Sequence, residues 1–120
     1  MANLAAIDAG SNAIRMLVSR LDNDGKLETL ENIRLPVRLG GDAFTSRVFS
    51  EQTMQMAVDA FIRFRQAADL FEVRQARAVA TSAMREAINS DVLIDRIHRE
   101  TGFSVETISG EKKPVSYIWQ

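Results

Sequence analysis

The chain has 120 residues, 46% of them hydrophobic, and 15 Lys and Arg stand against 16 Asp and Glu. This balance is typical of one globular domain, and a net charge of -1 excludes the broad basic field that binds nucleic acid or an acidic membrane surface. The absence of cysteine excludes disulfides, and because the sequence shows neither a signal-peptide pattern nor a membrane-length apolar run, it predicts a cytoplasmic protein.

The first forty residues predict three β-strands. Their apolar runs are residues 4–7, 13–18 and 27–39. The turn formers Gly10-Ser11-Asn12 separate the first two runs, and Asp24-Gly25 separates the second from the third. Pro36 favours an edge position or a bulge in the third strand, because proline cannot donate a backbone hydrogen bond. Residues 40–46 are expected to form a loop.

Helix patterns dominate the rest of the chain. An apolar stripe at helical spacing follows Ser50 and comprises Ala57, Phe61, Phe64, Ala68 and Phe71. Residues 73–80 read as a buried strand, after which a helical pattern starts at Thr81 and runs, with a break near Asn89, to Gly102. Residues 103–108 predict a last strand. The order βββαβαβ predicts an α/β fold in which helices cover a mixed sheet.

The single histidine and two of the methionines are expected to have no role in a functional site. His98, the only histidine, is predicted to face solvent, since its helix is rich in charge and no second ligand stands four residues later to form a metal-binding pair. Met54 and Met56 are predicted to lie in the core beside the phenylalanines.

The run from Asp8 to Asn12 is the most informative part of the sequence. A carboxylate at a strand end is followed at once by Gly10, Ser11 and Asn12, which gives a tight turn rich in N–H and short polar donors. Such a turn can hold a phosphate, with Asp8 binding a divalent cation that neutralises the phosphate oxygens. The alternative is a plain hairpin that its Asp and Asn residues stabilise.

A second candidate lies where the strand 73–80 ends. Thr81 and Ser82 open a helix, and Arg85 follows one turn later. The N–H groups at a helix start and a nearby guanidinium both favour an anion. The alternative is that a hydroxyl only caps the helix and that Arg85 is a surface charge.

Several short motifs, taken together, resemble one family. The exopolyphosphatases and guanosine-pentaphosphate phosphohydrolases carry similar motifs in the same order, and the resemblance covers residues 4–111. The matching segments are residues 8–12, 38–40, 78–89, 100–102 and 108–111. This family belongs to the actin-like, ribonuclease-H-like superfamily, so the resemblance implies that residues 1–110 form the first lobe of such a fold.

The resemblance implies a metal-assisted hydrolase that releases terminal phosphate from inorganic polyphosphate or from guanosine pentaphosphate (pppGpp). It assigns Asp8, Gly10, Ser11 and Asn12 to a phosphate loop and Arg85 to a substrate phosphate. Thr81 is a further candidate for phosphate binding, and Asp8 is the candidate ligand of Mg²⁺ or Mn²⁺. Guanosine tetraphosphate is a further expected ligand. Phosphoryl transfer depends on positioning and charge stabilisation, which these residue types supply.

The sequence also departs from the family after residue 110. Lys113 stands where the family's general base, a glutamate, is expected, and Glu111 is the nearest carboxylate, two positions away. A protonated lysine cannot accept the proton of an attacking water. Residues 111–120 are therefore expected to be a divergent or truncated tail.

The family's second phosphate loop and second lobe would follow residue 120. The chain is therefore expected to be incomplete as an enzyme and to need a second lobe or self-association. The alternative function is a non-catalytic module that binds phosphate, nucleotide or another protein.

Overall fold

The structure of the protein is a computed structural model that describes residues 2–108. The strands are β1 (Ala2–Ala9), β2 (Ile14–Leu21), β3 (Leu27–Leu35), β4 (Gln75–Ala80) and β5 (Val105–Thr107). The helices are α1 (Leu39–Ala43), α2 (Glu51–Leu70), α3 (Ser82–Glu86) and α4 (Ser90–Thr101). None of these helices is both long and apolar enough to cross a membrane.

The five strands form one mixed sheet in the order β3-β2-β1-β4-β5. The pairs β1-β2 and β2-β3 are antiparallel, whereas β4 runs parallel to β1 and β5 runs parallel to β4. Hairpins therefore build one half of the sheet, and crossovers through helices build the other. The predicted α/β class and mixed sheet are confirmed.

One face of the sheet packs against α2 and α4. Alternate residues of β1, among them Ile7 and Ala9, join a single buried cluster with Phe61 and Phe64 of α2 and Ile97 of α4. Ser50 caps α2 by accepting a hydrogen bond of 3.0 Å from the Thr53 N–H, which fixes where the helix begins. The predicted stripe on this helix is thus confirmed as its core face.

The structure differs from the sequence prediction in the segment that follows β3. The third strand ends at Leu35 rather than Leu39, because Pro36 breaks the ladder and the Val37 N–H turns back to the Leu35 carbonyl at 2.9 Å. The predicted loop over residues 40–46 begins as the short helix α1, which buried Leu39 and Ala43 anchor. β3 lies at the sheet edge, as Pro36 predicts.

The predictions for His98 and Met54 are confirmed, and the one for Met56 is wrong. His98 is exposed, with its Nδ1 at 3.3 Å from the Ser104 hydroxyl. Met54 is buried, but Met56 is 46% exposed because it lies on the outer side of α2. Met54 therefore belongs to the apolar stripe of α2, whereas Met56 lies outside it.

Candidate functional site

The two segments that the sequence singles out lie at the same end of the sheet. Ala9 ends β1 and is paired in parallel register with Ala80, which ends β4. The β1–β2 turn and the segment beginning at Thr81 therefore emerge side by side. The carboxyl ends of neighbouring parallel strands are where α/β folds commonly form binding crevices.

A hollow of about 530 Å³ opens at this end of the sheet. Its lining combines hydroxyls, an amide, glycine backbone and a guanidinium. The lining residues are Ser11, Asn12, Arg38, Gly40, Gly41, Phe44, Thr45 and Ser82. None of these described lining residues carries a carboxylate or an imidazole, so this part of the lining suits an anion and offers no proton-transfer group.

The β1–β2 turn presents its polar side chains to the hollow. The Gly10 N–H donates to the Ala13 carbonyl at 3.0 Å and closes the turn. A Cβ at Gly10 would lie 3.2 Å from that carbonyl oxygen, so the turn is tight at this position. The hydrogen bonds found within residues 2–108 do not use the side chains of Ser11 and Asn12, which leaves them available to a ligand.

Helix α1 closes directly onto this turn. The Gly40 N–H donates to the Ser11 carbonyl at 2.8 Å. A Cβ at Gly40 would lie 3.0 Å from both the Ser11 Cβ and the ring of Phe44, closer than side chains normally approach. Glycine at this position lets the helix and the turn form one wall of the hollow.

Arg38 is a lining residue that the sequence analysis did not assign to the site. It is the N-cap residue of α1 and is exposed, and within residues 2–108 its guanidinium forms no ion pair with a carboxylate. The charge therefore remains available to an anion in the hollow. The available signal was an arginine directly before Leu39 and the Gly40-Gly41 pair, a run that carries part of the family resemblance.

The segment after β4 contributes differently from what its sequence suggests. Ser82 lines the hollow, whereas Thr81 is buried behind it and its side chain makes no capping hydrogen bond in α3. Arg85 is exposed and is not a lining residue; its Nη1 donates to the Ile108 carbonyl at 2.7 Å. The phosphate-binding roles of Thr81 and Arg85 stay predictions.

Asp8, the predicted metal ligand, lies one residue before the end of β1. It alternates with Ile7 and Ala9, whose side chains enter the core under α2, so Asp8 faces the opposite side of the sheet. It is half-buried and does not line the hollow. The described chain contains no group of three or more acidic or histidine side chains arranged to hold a metal ion. Glu111, the catalytic candidate, lies outside the described residues.

A single carboxylate ties α1 to the start of α2. Asp42 Oδ2 accepts a hydrogen bond of 2.8 Å from the Ser50 N–H. This bond, with a second from the Thr53 side chain, lowers the pKa of Asp42 below its ordinary value. Asp42 therefore stays ionised and holds the wall of the hollow against the long helix.

Comparisons with known proteins place the chain in a family. A profile of the Ppx/GppA phosphatase family matches residues 17–114. The chain is 33% identical over 109 residues to a guanosine-5'-triphosphate,3'-diphosphate pyrophosphatase of Vibrio atlanticus, covering 91% of this chain and 22% of the relative.

Solved structures agree with the sequence match. The chain superposes on a Ppx/GppA phosphatase of Aquifex aeolicus with a TM-score of 0.86 at 29% identity, covering 92% of this chain and 37% of that one. It superposes on an exopolyphosphatase of Cytophaga hutchinsonii with a TM-score of 0.85 at 36% identity, covering 90% of this chain and 34% of that one.

The chain belongs to the Ppx/GppA phosphatase family and has the actin-like fold of its members. The family resemblance that the motifs predicted is thus confirmed. The chain spans about a fifth of the length of the Vibrio relative.

Proposed function

We propose that this member of the Ppx/GppA family is the phosphate-binding lobe of a metal-dependent phosphohydrolase that releases terminal phosphate from inorganic polyphosphate or pppGpp. The observation that carries the proposal is the meeting of Ser11, Arg38 and Ser82 around one hollow that has no carboxylate in its described lining. The names of the relatives support the two substrates: one is a pppGpp pyrophosphatase and another an exopolyphosphatase.

In this proposal the hollow binds and orients a phosphate group. The hydroxyls of Ser11 and Ser82 and the amide of Asn12 donate to its oxygens, and Arg38 offsets their charge. Holding the phosphate in one orientation lowers the barrier to phosphoryl transfer, because that reaction needs alignment and charge stabilisation more than covalent chemistry.

The metal would be Mg²⁺, or Mn²⁺, with Asp8 as a carboxylate ligand. Mg²⁺ in phosphoryl-transfer sites takes one or two carboxylates and completes its shell with water and substrate phosphate. A carboxylate one residue before the end of β1, with no acidic cluster around it in residues 2–108, is compatible with that mode rather than with a cage made of protein ligands alone, although Asp8 itself does not line the hollow. When bound, the ion would neutralise negative charge on the phosphate oxygens.

The proton-accepting group must come from outside the hollow's described lining. Glu111 remains a proposal for this role, and residues 1–110 and 111–120 are proposed as lobe and divergent tail. Because the chain spans 22% of the Vibrio relative's length, we propose that hydrolysis requires a second lobe or a second copy of the chain. A cytoplasmic location stays a prediction of the sequence.

One observation favours a second candidate, a phosphate-binding module that does not hydrolyse its ligand. The described lining of the hollow offers donors and positive charge but no general base. If this second candidate is right, the protein binds phosphate compounds but does not hydrolyse them, either alone or joined to a second lobe.

Titration calorimetry with inorganic tripolyphosphate and Mg²⁺ tests the binding step. Arg38→Gln should weaken binding at least about tenfold, because a charge-assisted hydrogen bond contributes roughly 1.5–3 kcal/mol. Arg63→Gln, an exposed arginine of α2 outside the hollow, is the matched control and should leave the affinity unchanged.

Arg85→Gln belongs in the same titration series. We expect a smaller loss than for Arg38→Gln, because Arg85 holds the Ile108 carbonyl and does not line the hollow. A wild-type chain that binds no tripolyphosphate, or equal losses for Arg38→Gln and Arg63→Gln, would overturn the proposed site.

Turnover is tested in a chimera in which residues 1–108 replace the matching segment of the Vibrio relative. Phosphate release from pppGpp should survive the replacement and should be lost in the same chimera with Asp8→Asn. A folded chimera that binds pppGpp without releasing phosphate would favour the non-catalytic module instead.

A further inference from the structure

The wall of the hollow carries an exposed aromatic ring. Phe44 follows the last residue of α1, lines the hollow and is 55% exposed. The five other phenylalanines of the chain are buried or half-buried. Phe61, for example, packs edge-on against both Phe64 and Phe103. Phe44 thus differs from the other phenylalanines because its ring is exposed to solvent and lines a polar hollow.

The ring lies close to the β1–β2 turn as well as to α1. One side of it packs on Gly40, where an added Cβ would lie 3.0 Å from Phe44 Cε2. The same added atom would lie 3.0 Å from the Ser11 Cβ, so the ring and the β1–β2 turn flank one glycine. The Phe44 N–H donates to the Gly40 carbonyl at 3.0 Å and fixes the backbone beneath the ring.

The hollow is also larger than one phosphate requires. Its volume of about 530 Å³ lies within the range of small-molecule sites, roughly 300–1,000 Å³. Its described lining holds both the polar side chains of Ser11, Asn12 and Arg38 and the exposed ring of Phe44. This combination suits a ligand that has a charged part and a flat apolar part.

We propose that Phe44 is a specificity-determining residue that stacks on the base of a nucleotide whose phosphate lies at Ser11 and Arg38. This inference rests on the proposed phosphate-binding function of the hollow. An inorganic polyphosphate chain has no π-face and gains nothing from the ring, whereas a nucleobase does. The hollow therefore favours nucleoside phosphates over inorganic phosphate chains, and the ring contributes little to a choice between guanine and adenine.

Two ligands with the same number of phosphates test this proposal. The affinities of guanosine 5′-diphosphate and inorganic pyrophosphate, each with Mg²⁺, are measured by calorimetry on the 120-residue chain. In the wild type the nucleotide should bind about tenfold more tightly, which is within the range of base–aromatic stacking. In Phe44→Ala that ratio should fall towards one while the affinity for pyrophosphate stays the same.

Two further variants keep the experiment decisive. Phe44→Trp should retain or raise the preference for the nucleotide, because indole offers a larger stacking surface. Met56→Ala removes a comparably exposed apolar side chain from α2, outside the hollow, and should change neither affinity. Because the ratio is compared between variants, the difference in charge between the two ligands cancels.

The failures of the two proposals are distinguishable. Pyrophosphate binding with no gain from the nucleoside, or equal losses of both ligands in Phe44→Ala, would overturn the stacking role and leave the phosphate site standing. A wild-type chain that binds neither ligand would overturn the phosphate site and the stacking role together.

Discussion

The two hairpin turns at opposite ends of β2 are built from similar residues but differ in what they leave for a ligand. In the β2–β3 turn, Asp22 Oδ1 accepts hydrogen bonds from the N–H groups of Asp24 and Lys26, both at 2.9 Å. The turn thus satisfies its own donors. In the β1–β2 turn, the side chains of Ser11 and Asn12 face a hollow and take no part in the hydrogen bonds found within residues 2–108.

The cavities beside the two turns also differ in volume and in lining. The cavity at the β2–β3 end is the larger, about 900 Å³. Its described lining combines four apolar side chains and a glycine with an arginine and an amide: Ala2, Leu4, Leu21, Gly25, Leu27, Arg74 and Gln75. The smaller hollow at the other end has hydroxyls, an amide and an arginine in its lining. The hydroxyls in its described lining and its position beside the ends of β1 and β4, rather than volume or the presence of an arginine, therefore distinguish the candidate site.

The largest effect is expected where α1 closes on the β1–β2 turn. Gly40→Ala should leave the protein about 1–3 kcal/mol less stable than Gly41→Ala, because only the first alanine Cβ would crowd Ser11 and Phe44. At Gly41 no atom lies within 4 Å of an added Cβ, and alanine favours a helix over glycine. Urea denaturation of both variants measures the difference, and equal stabilities would contradict the close approach.

Substitutions in the two turns should have opposite effects on stability and on binding, and these effects should be of intermediate size. Asp22→Ala should lower the free energy of unfolding by about 1 kcal/mol, because two N–H groups lose their acceptor, and should leave tripolyphosphate binding unchanged. Ser11→Ala should show the reverse: weaker binding and a nearly unchanged free energy of unfolding. Thermal unfolding and calorimetry on the same two variants check both halves. If Asp22→Ala weakened binding as much as Ser11→Ala, the contrast between the turns would be wrong.

The smallest effect concerns pH and the carboxylate that anchors α1. Because hydrogen bonds from Ser50 and Thr53 lower the pKa of Asp42 in the folded state, its stabilising contribution is complete above its ordinary pKa. That contribution is lost as the pH falls through the lowered value. Asp42→Asn should therefore be less stable than the wild type at pH 7, by up to about 1 kcal/mol, and the difference should shrink below roughly pH 4.

Asp24→Asn, in the exposed β2–β3 turn, is the control for this pH dependence. The change in stability difference on acidification is compared between the two variants, and it should be larger for Asp42→Asn. A difference for Asp42→Asn that does not change on acidification would show that the carboxylate charge is not what holds Ser50.

Features that depend on neighbours in the chain were predictable. Gly10-Ser11-Asn12 and Asp24-Gly25 mark turns because their residues tolerate the required backbone angles, and Gly25 does adopt a φ of 81°. The apolar spacing of Phe61 and Phe64 identifies the core face of α2 for the same local reason. Gly102, with a φ of 80°, ends α4 where the sequence predicts.

Features that depend on distant contacts were not predictable. Nothing near Gly40 shows that it must meet Ser11, twenty-nine positions earlier, so residues 40–46 read as a loop. The contact between the Arg85 guanidinium and the Ile108 carbonyl could not be read from the sequence either, and it leaves the phosphate-binding role of Arg85 a prediction. The hydrogen-bond partner of an arginine depends on which acceptors the fold brings within reach of its long side chain.

The amino-acid sequence by itself thus determined the family, the order of the strands along the chain, the core face of α2 and the turn that carries Ser11, because hydrophobic periodicity and turn chemistry depend on residues close together in the chain. Only the tertiary structure decided that Arg38 and Phe44 share a hollow with Ser11 while Asp8 faces the other side of the sheet. Those placements follow from the parallel pairing of β1 with β4 and from the closure of α1, which are contacts between residues far apart in the chain.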